Sequence, residues 1–216
     1  MKENYLVYIP EHFRVRDHAD AIAFMRANPF VILVSNSDED PFASHVPVFI
    51  EERSDHLVIR GHVAKANPHW RYLEQQPQCL TIFHGAHAYI SPSLYETRET
   101  VPTWNYGAVH AYGKANIFGE PAQLLPMLHQ LIGTFEQTYA QQWSELSESY
   151  RERMLSHIVG FEIAVTRLEA KFKLGQNRTK VEQSNMITSL AKSPDSVISG
   201  VADLMRDQGM GEKKGG

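Results

Sequence analysis

The residues with the clearest chemical potential lie in the stretch Arg60-Gly61-His62-Val63-Ala64-Lys65-Ala66-Asn67-Pro68-His69-Trp70. Asn67 has the chemistry of a helix N-cap, and Pro68 suits a first helical turn. The apolar run His56–Ile59 ahead of them reads as a strand. A chain that leaves a strand, passes Gly61 and Lys65 and enters a helix gathers three things in one place. These are unpaired backbone N–H groups, the positive end of the helix dipole and an ammonium group. Such a place suits an anion, phosphate above all. The same residues also describe a plain strand-to-helix turn with a solvated lysine.

Two further stretches carry polar chemistry. Val101-Pro102-Thr103-Trp104-Asn105-Tyr106-Gly107-Ala108-Val109-His110 places aromatic and amide groups just before and inside a strand. Thr103, Trp104 and Asn105 supply a hydroxyl, a flat surface and an amide, which suit a planar heterocycle with hydrogen-bonding edges. Aromatic residues there also serve as ordinary core. Lys171-Phe172-Lys173-Leu174-Gly175-Gln176-Asn177-Arg178 is basic and amide-rich, and Gly175 permits close backbone approach. A solvated turn has the same composition. His45, His62, His69, His84, His87 and His110 all fall in or beside expected strands. A metal would take His84 and His87 with His62 or His110, but no established ligand framework is present. Neutral histidines lining a polar cavity explain the same residues, so we assign no metal. No G-x-S-x-G elbow points to a serine hydrolase. The single cysteine, Cys79, lies in an apolar run and reads as a buried small hydrophobe.

The elements that must position these groups follow from hydrophobic patterning. Asp17 caps a short helix carrying Ala21, Ile22 and Met25, and Asn28-Pro29 ends it. Phe30–Val34 reads as a strand buried on both faces, Asp38–Pro41 as a turn, and Phe42–Ile50 as the returning hairpin strand. Pro47 inside that strand marks an edge, a bulge or a ligand-facing position. A strand over His56–Val63 and a helix over Pro68–Glu74 follow. Gln78–Phe83 is the next strand, which Gly85 interrupts before His87–Ser91 continues it. Pro92–Thr100 reads as a mobile polar loop, and Ala108–Phe118 as a strand bent at Gly113. Leu124, Leu128, Leu131 and Phe135 define a helix entered through Gly119-Glu120-Pro121. A second helix covers Glu148–His157, and Phe161, Ile163 and Val165 define a last strand. The chain after Asn177 is polar and helical, with Val197, Val201 and Leu204 as a thin stripe suited to packing on another surface, such as a second subunit. Strands in hairpin order with a few helices predict a mainly β protein, an antiparallel barrel with peripheral helices.

Composition narrows the function classes. The 216 residues are 43% hydrophobic, enough for a proper core, and 21 basic against 25 acidic residues give a net charge of -4. That balance provides no long-range field for nucleic acid, so DNA binding would need a local basic patch. No apolar run approaches the ~20 residues of a membrane span, and the start lacks the order of a signal peptide. The expectation is a cytoplasmic protein that does not enter the membrane.

The three stretches together resemble the PaiB family. The resemblance rests on Val101-Pro102-Thr103-Trp104-Asn105-Tyr106 with Val109-His110, on Tyr89-Ile90-Ser91-Pro92, and on Lys171 to Arg178. His62 to Pro68 and the N-terminal Tyr8-Ile9-Pro10 with Phe13 also fit, and the match runs from about Tyr8 to Arg178. The family is described as FMN-binding negative transcriptional regulators of sporulation and protease production. The resemblance implies a split β-barrel like that of pyridoxamine-phosphate oxidases, built as a homodimer with FMN between subunits. DNA as a partner is implied by the family alone. On this reading Lys65 and the Asn67 helix start hold the phosphate, with His62 and Ala64 on the pocket side. Ser44, His45 and Val46 run past the isoalloxazine ring. Thr103, Trp104 and Asn105 close the site, and Lys173, Gln176 and Asn177 reach the phosphate or ribityl chain. Gly175 and Gly107 depart from the serine and the larger apolar residue expected there, and the departures suggest side-chain contacts missing at the ligand edge. The expected organisation is a flavin domain over 1–178, a helical appendage over 179–210 and a tail over 211–216. No catalytic residue is assigned. A flavin-dependent oxidoreductase and a haem-binding or haem-degrading protein are the alternative functions, since one fold hosts all three.

Overall fold

A computed structural model describes residues 7–37, 40–54 and 56–211. Asp38 and Glu39 of the expected turn, and the expected tail after Gly211, lie outside the described residues. Six strands form a closed barrel: β1 (Phe30–Asn36), β2 (Pro41–Glu52), β3 (Leu57–Ala64), β4 (Gln78–Ile90), β5 (Thr103–Phe118) and β6 (Ile158–Lys173). Their order is β1-β2-β3-β6-β5-β4, and the β1–β2, β1–β4, β2–β3 and β3–β6 pairs are antiparallel. The described helices are α1 (His18–Ala27), α2 (His69–Gln75), α3 (Pro121–Phe135), α4 (Tyr139–Glu145), α5 (Glu148–Leu155), α6 (Lys180–Leu190) and α7 (Ser196–Asp207). The mainly β class with helices is therefore as the patterning predicts. No described helix is long and apolar enough to cross a membrane.

The strands divide inward and outward residues by their two-residue period. Val31, Leu33 and Ser35 of β1 are buried, whereas Ile32 and Val34 stay partly accessible and Phe30 is 64% exposed. The unbroken apolar run therefore marks one buried face and one apolar outer face, not burial on both. Gly85 does not interrupt β4, which runs on to Ile90. β5 and β6 are longer than their apolar cores suggested, so Thr103–Asn105 and Lys171–Lys173 are strand residues. Asp17 does start α1, its Oδ1 accepting from the Ala19 N–H at 2.8 Å.

The chain forms two compact units. One comprises Met25–Phe83 and His110–Leu168. In it α3 buries Leu124 and Met127 against Phe49, Phe118 and Leu155, with Leu125, Leu128, Leu131 and Ile158 packed around them. Gly160 sits under the Phe118 ring, where a Cβ would come within 2.3 Å of that ring. Arg53 bonds Glu51 at 3.0 Å and Glu162 at 2.8 Å, and Arg60 lies 3.5 Å from each acid. These pairs tie β2, β3 and β6 together and commit Arg60 to structural partners.

The other unit comprises Met1–Phe24, His84–Val109 and Glu169–Gly216, as far as these are described. Here α7 buries Val201, Ala202 and Met205, and packs against α6. Leu204 reaches Gly107, and Gly200 reaches Ala86. Val201 and Leu204 of the thin stripe are thus covered within their own chain, whereas Val197 is exposed. The Pro92–Thr100 segment, expected to be mobile, is tied down. Its Glu96 N–H donates to Glu182, the Asn185 side chain donates to the Leu94 carbonyl, and Arg178 lies 3.8 Å from the Tyr95 ring centre while bonding Thr100. Thr179 caps α6 in a full capping box with Glu182, and its hydroxyl also donates to Glu96 at 2.7 Å. Replacing Thr179 by Ala removes both contacts and should cost about 1–2 kcal/mol in urea unfolding, the upper range for a cap. A loss within experimental error would show that Glu182 alone holds this helix start.

Candidate functional site

The β2–β3 ladder runs from Glu52↔Leu57 to Val48↔Gly61 and stops there, although both strands continue. Pro47 is the next residue on β2 and has no N–H to donate. Beyond this point β2 stays paired with β1 through Pro41–Pro47, and β3 stays paired with β6 through His62↔Gly160 to Ala64↔Ile158. The backbone edge of β2 carrying Ser44, His45 and Val46 therefore lies outside the β2–β3 ladder. His62 and Ala64 occupy the corresponding end of β3.

Ser44 and Val46 point to the buried side of β2, and His45 is exposed near the Phe30 ring. His62 is half-buried, and its Nδ1 is buried with no hydrogen-bond partner among the described residues. Burial also pushes its pKa below the ordinary histidine range. Ala64 ends the strand and is exposed, as is Lys65.

The N-cap of α2 is Pro68, not Asn67 as the sequence suggests, because the helix begins one residue later, at His69; Asn67 organises the turn ahead of it. Its Oδ1 accepts from the His69 N–H at 3.0 Å and so satisfies one free donor at the start of α2. Its Nδ2 donates to Ser44 Oγ at 3.0 Å. Ser44 Oγ also lies 2.8 Å from His69 Nδ1. Ser44 Oγ thus joins both side chains, and His69 Nε2 is buried with no hydrogen-bond partner among the described residues. His69 is fully buried, and burial lowers its pKa to about 4. The network pins the turn to β2 where the strand ladder has already ended. The Lys65 N–H and Asn67 N–H are taken by His157 and Ala64 carbonyls. With only seven residues in α2 and those donors engaged, the helix dipole expected to attract an anion is weak, and Lys65 carries the charge. Lys65 lines a cavity of about 220 Å³ with Trp70, Glu74, Phe118, Leu155 and Ser156.

In the other unit Thr103, Trp104 and Asn105 lie at the start of β5, and Lys173 ends β6. Lys173 Nζ donates to Thr103 Oγ1. Burial, with Lys171 acting in the same direction, lowers its pKa from the ordinary lysine value. Lys171 lies 5.4 Å from the Tyr106 ring centre. Trp104 is 53% exposed, with Tyr89 edge-on at 6.1 Å and His87 at 6.1 Å. Asn105 is buried with its amide on Met186 Sδ, and Gln176 closes its own turn through Phe172 and Leu174. The Gln176 amide and Asn105 Nδ2 are thus already engaged, while Asn177 is exposed. Gly175 has φ 86, and a Cβ on Gly107 would come within 2.6 Å of the Phe24 ring. Both glycines answer a backbone or packing demand, so their presence needs no missing ligand contact.

His69, one of the histidines noted in the sequence but not placed at the site there, is brought by the structure into the network at this turn. Its one local signal is the spacing Asn67-Pro68-His69; its link to Ser44 depends on strand placement. Among the described residues no three histidine, cysteine or acidic side chains gather as a metal set. The Cys79 thiol is buried and its pKa is pushed up to about 12, as for an inert core cysteine.

A family described as "Putative FMN-binding domain" matches residues 7–167. "Protease synthase and sporulation protein PAI 2" of Bacillus subtilis is 38% identical over 204 residues, covering 94% of this chain and 98% of its own. An uncharacterized protein of Emericella nidulans is 29% identical over 234 residues, covering 88% of this chain and 93% of its own. Among solved structures, the flavocytochrome Anf3 from Azotobacter vinelandii superposes with a TM-score of 0.58 at 14% identity, over 76% of this chain and 72% of that one. The FAD and heme binding protein from Mycobacterium smegmatis gives 0.54 at 12% identity, over 75% and 74%. At such identities the structures speak to the fold, the split β-barrel. The long family match and the near full-length identity to the Bacillus protein place the chain in the PaiB family, within the FMN-binding-domain class its motifs anticipated.

Proposed function

We propose that this protein binds FMN as a homodimer and acts as a flavin-dependent regulator of the PaiB type. The observation that carries the flavin reading is the early end of the β2–β3 ladder, with buried, unpartnered His62 Nδ1 beside it. A flavin ring edge offers the alternating donors and acceptors that such a backbone edge and ring nitrogen lack. When bound, FMN supplies reversible electron acceptance, chemistry no side chain of this chain provides. The β2 edge over Ser44–Val46 and His62 orient the ring's polar edge. Lys65 neutralises the phosphate, and the Ser44–Asn67–His69 network fixes the turn that presents it. Thr103, Trp104, Lys173 and Asn177, which belong to the other unit, are suited to contact a flavin held by a partner subunit. Exposed Phe30, Tyr89 and Trp104 provide apolar surface that a twofold partner can cover. The regulatory half of the reading rests on likeness to the Bacillus protein over nearly its whole length.

Lys65→Ala tests the site. A charge-assisted hydrogen bond contributes about 1.5–3 kcal/mol, so FMN affinity should fall roughly tenfold to a hundredfold in calorimetric titration. The exposed position of Lys65 means the fold should survive. Unchanged affinity would put the phosphate elsewhere.

A further inference from the structure

The helices between β5 and β6 hold a second cavity, of about 220 Å³, lined by His129, Ile132, Ala140, Trp143, Ser144 and Arg151. It lies within α3, α4 and α5, and shares no lining residue with the cavity at Lys65. Ile132 and Ala140 give it apolar walls. Trp143 gives it a flat one, held in place because its Nε1–H donates to His129 Nε2 at 3.0 Å. The two rings stand at 87°, so the indole face is left clear of the imidazole. Arg151 is half-buried, and its guanidinium forms no ion pair among the described residues. A guanidinium is always charged and offers a planar fork of donors. Half-burying one beside a fixed aromatic wall, with no carboxylate to answer it, leaves a site complementary to a group of the opposite charge.

We propose that this cleft binds a small aromatic carboxylate. The carboxylate takes the Arg151 fork in a bidentate pair, and the ring lies against Trp143 and Ile132. The volume is below the ~300–1,000 Å³ of pockets for drug-sized ligands, which limits the occupant to one or two fused rings. The inference stands apart from the flavin reading, because none of its residues belongs to that site. α3 links the cleft to the core: the helix that lines it through Ile132 also buries Leu124 and Met127.

Calorimetric titration of the full chain, saturated with FMN, with 2-naphthoate tests the site. One naphthoate should bind per chain. Arg151→Gln should weaken it roughly tenfold or more, as expected for loss of a charge-assisted pair. In the unmutated protein 2-naphthamide should bind more weakly than naphthoate, and Arg151→Gln should erase that preference. Trp143→Ala is the second variant, and it should weaken acid and amide alike. Circular dichroism verifies that each variant is folded. Absence of binding up to millimolar naphthoate would overturn the proposal. So would an unchanged affinity in Arg151→Gln, or displacement of naphthoate by added FMN.

Discussion

Between pH 6.5 and about 4 the protein should lose up to roughly 3 kcal/mol of stability through His69 alone. Burial holds the folded-state pKa of this ring at about 4, whereas an unfolded chain titrates near 6.5. In that window the unfolded state binds the proton and the folded state does not. Stability therefore falls as pH falls, at about 1.4 kcal/mol per pH unit for one group. The loss is absent above the unfolded pKa and complete below the folded one. Protonation also places a charge on this buried ring beside Ser44 and Asn67, so the turn carrying Lys65 loosens as the charge appears. His62 and His84, whose pKa values burial also lowers, add to the loss in the same direction. The Arg53-bonded Glu51 titrates lower than an ordinary carboxylate and acts at the acid end. Urea unfolding at pH 7, 5.5 and 4.5 should show the slope, and His69→Gln should flatten it. An unaltered slope in that variant would mean that His69 is reached by water and titrates normally.

The way the fold was legible in sequence explains what was not. The apolar runs at Phe30–Val34, Val58–Ile59 and Ile163–Val165 marked strands because burial leaves a local pattern. The outer ends of β5 and β6 carry Thr103, Trp104, Lys171 and Lys173, whose alternation with polar groups imitates a loop. The helix α4, Tyr139–Glu145, leaves no sequence signal because Gln141, Gln142 and Ser144 give it no apolar stripe. Near the candidate site, the bond from the His69 N–H to Asn67 is legible from neighbouring residues, since such turn contacts are short-range. The Ser44 link to Asn67 and His69 spans more than twenty positions and depends on strand placement. The end of the β2–β3 ladder likewise exists only in the register, although Pro47 was its visible cause. Gly107 and Gly175 show the limit from the other side. A glycine in sequence does not say whether it serves a ligand, a turn or a neighbouring ring.

Gly113 sharpens that point, and Gly113→Ala should be among the most damaging single-methyl changes in the molecule. Its place in β5 suggested a bend, yet the strand passes through without a break, and Gly113 is not among the positive-φ glycines. What the position requires is space. A Cβ there would lie 2.5 Å from the Ala164 carbonyl oxygen and 2.6 Å from Ile163 Cγ2. A flexible side-chain end can swing aside, but a carbonyl within a strand cannot move without its ladder. Ile163 is itself fully buried, so its methyl has nowhere to go. The Gly113 carbonyl also accepts the Cys79 thiol, which ties any shift of β5 to β4. Overpacking in a tight core costs about 1–3 kcal/mol and occasionally more, and the backbone contact places this variant at the upper end. Gly119→Ala is the matched control, because nothing lies within 4 Å of its added methyl. That variant should be neutral, or slightly stabilising through a stiffer unfolded chain. Parallel thermal melts of the two proteins should separate by several degrees. Equal midpoints would show that β5 and β6 can part at Gly113 without cost, and that the bend read from sequence was the better account of this residue.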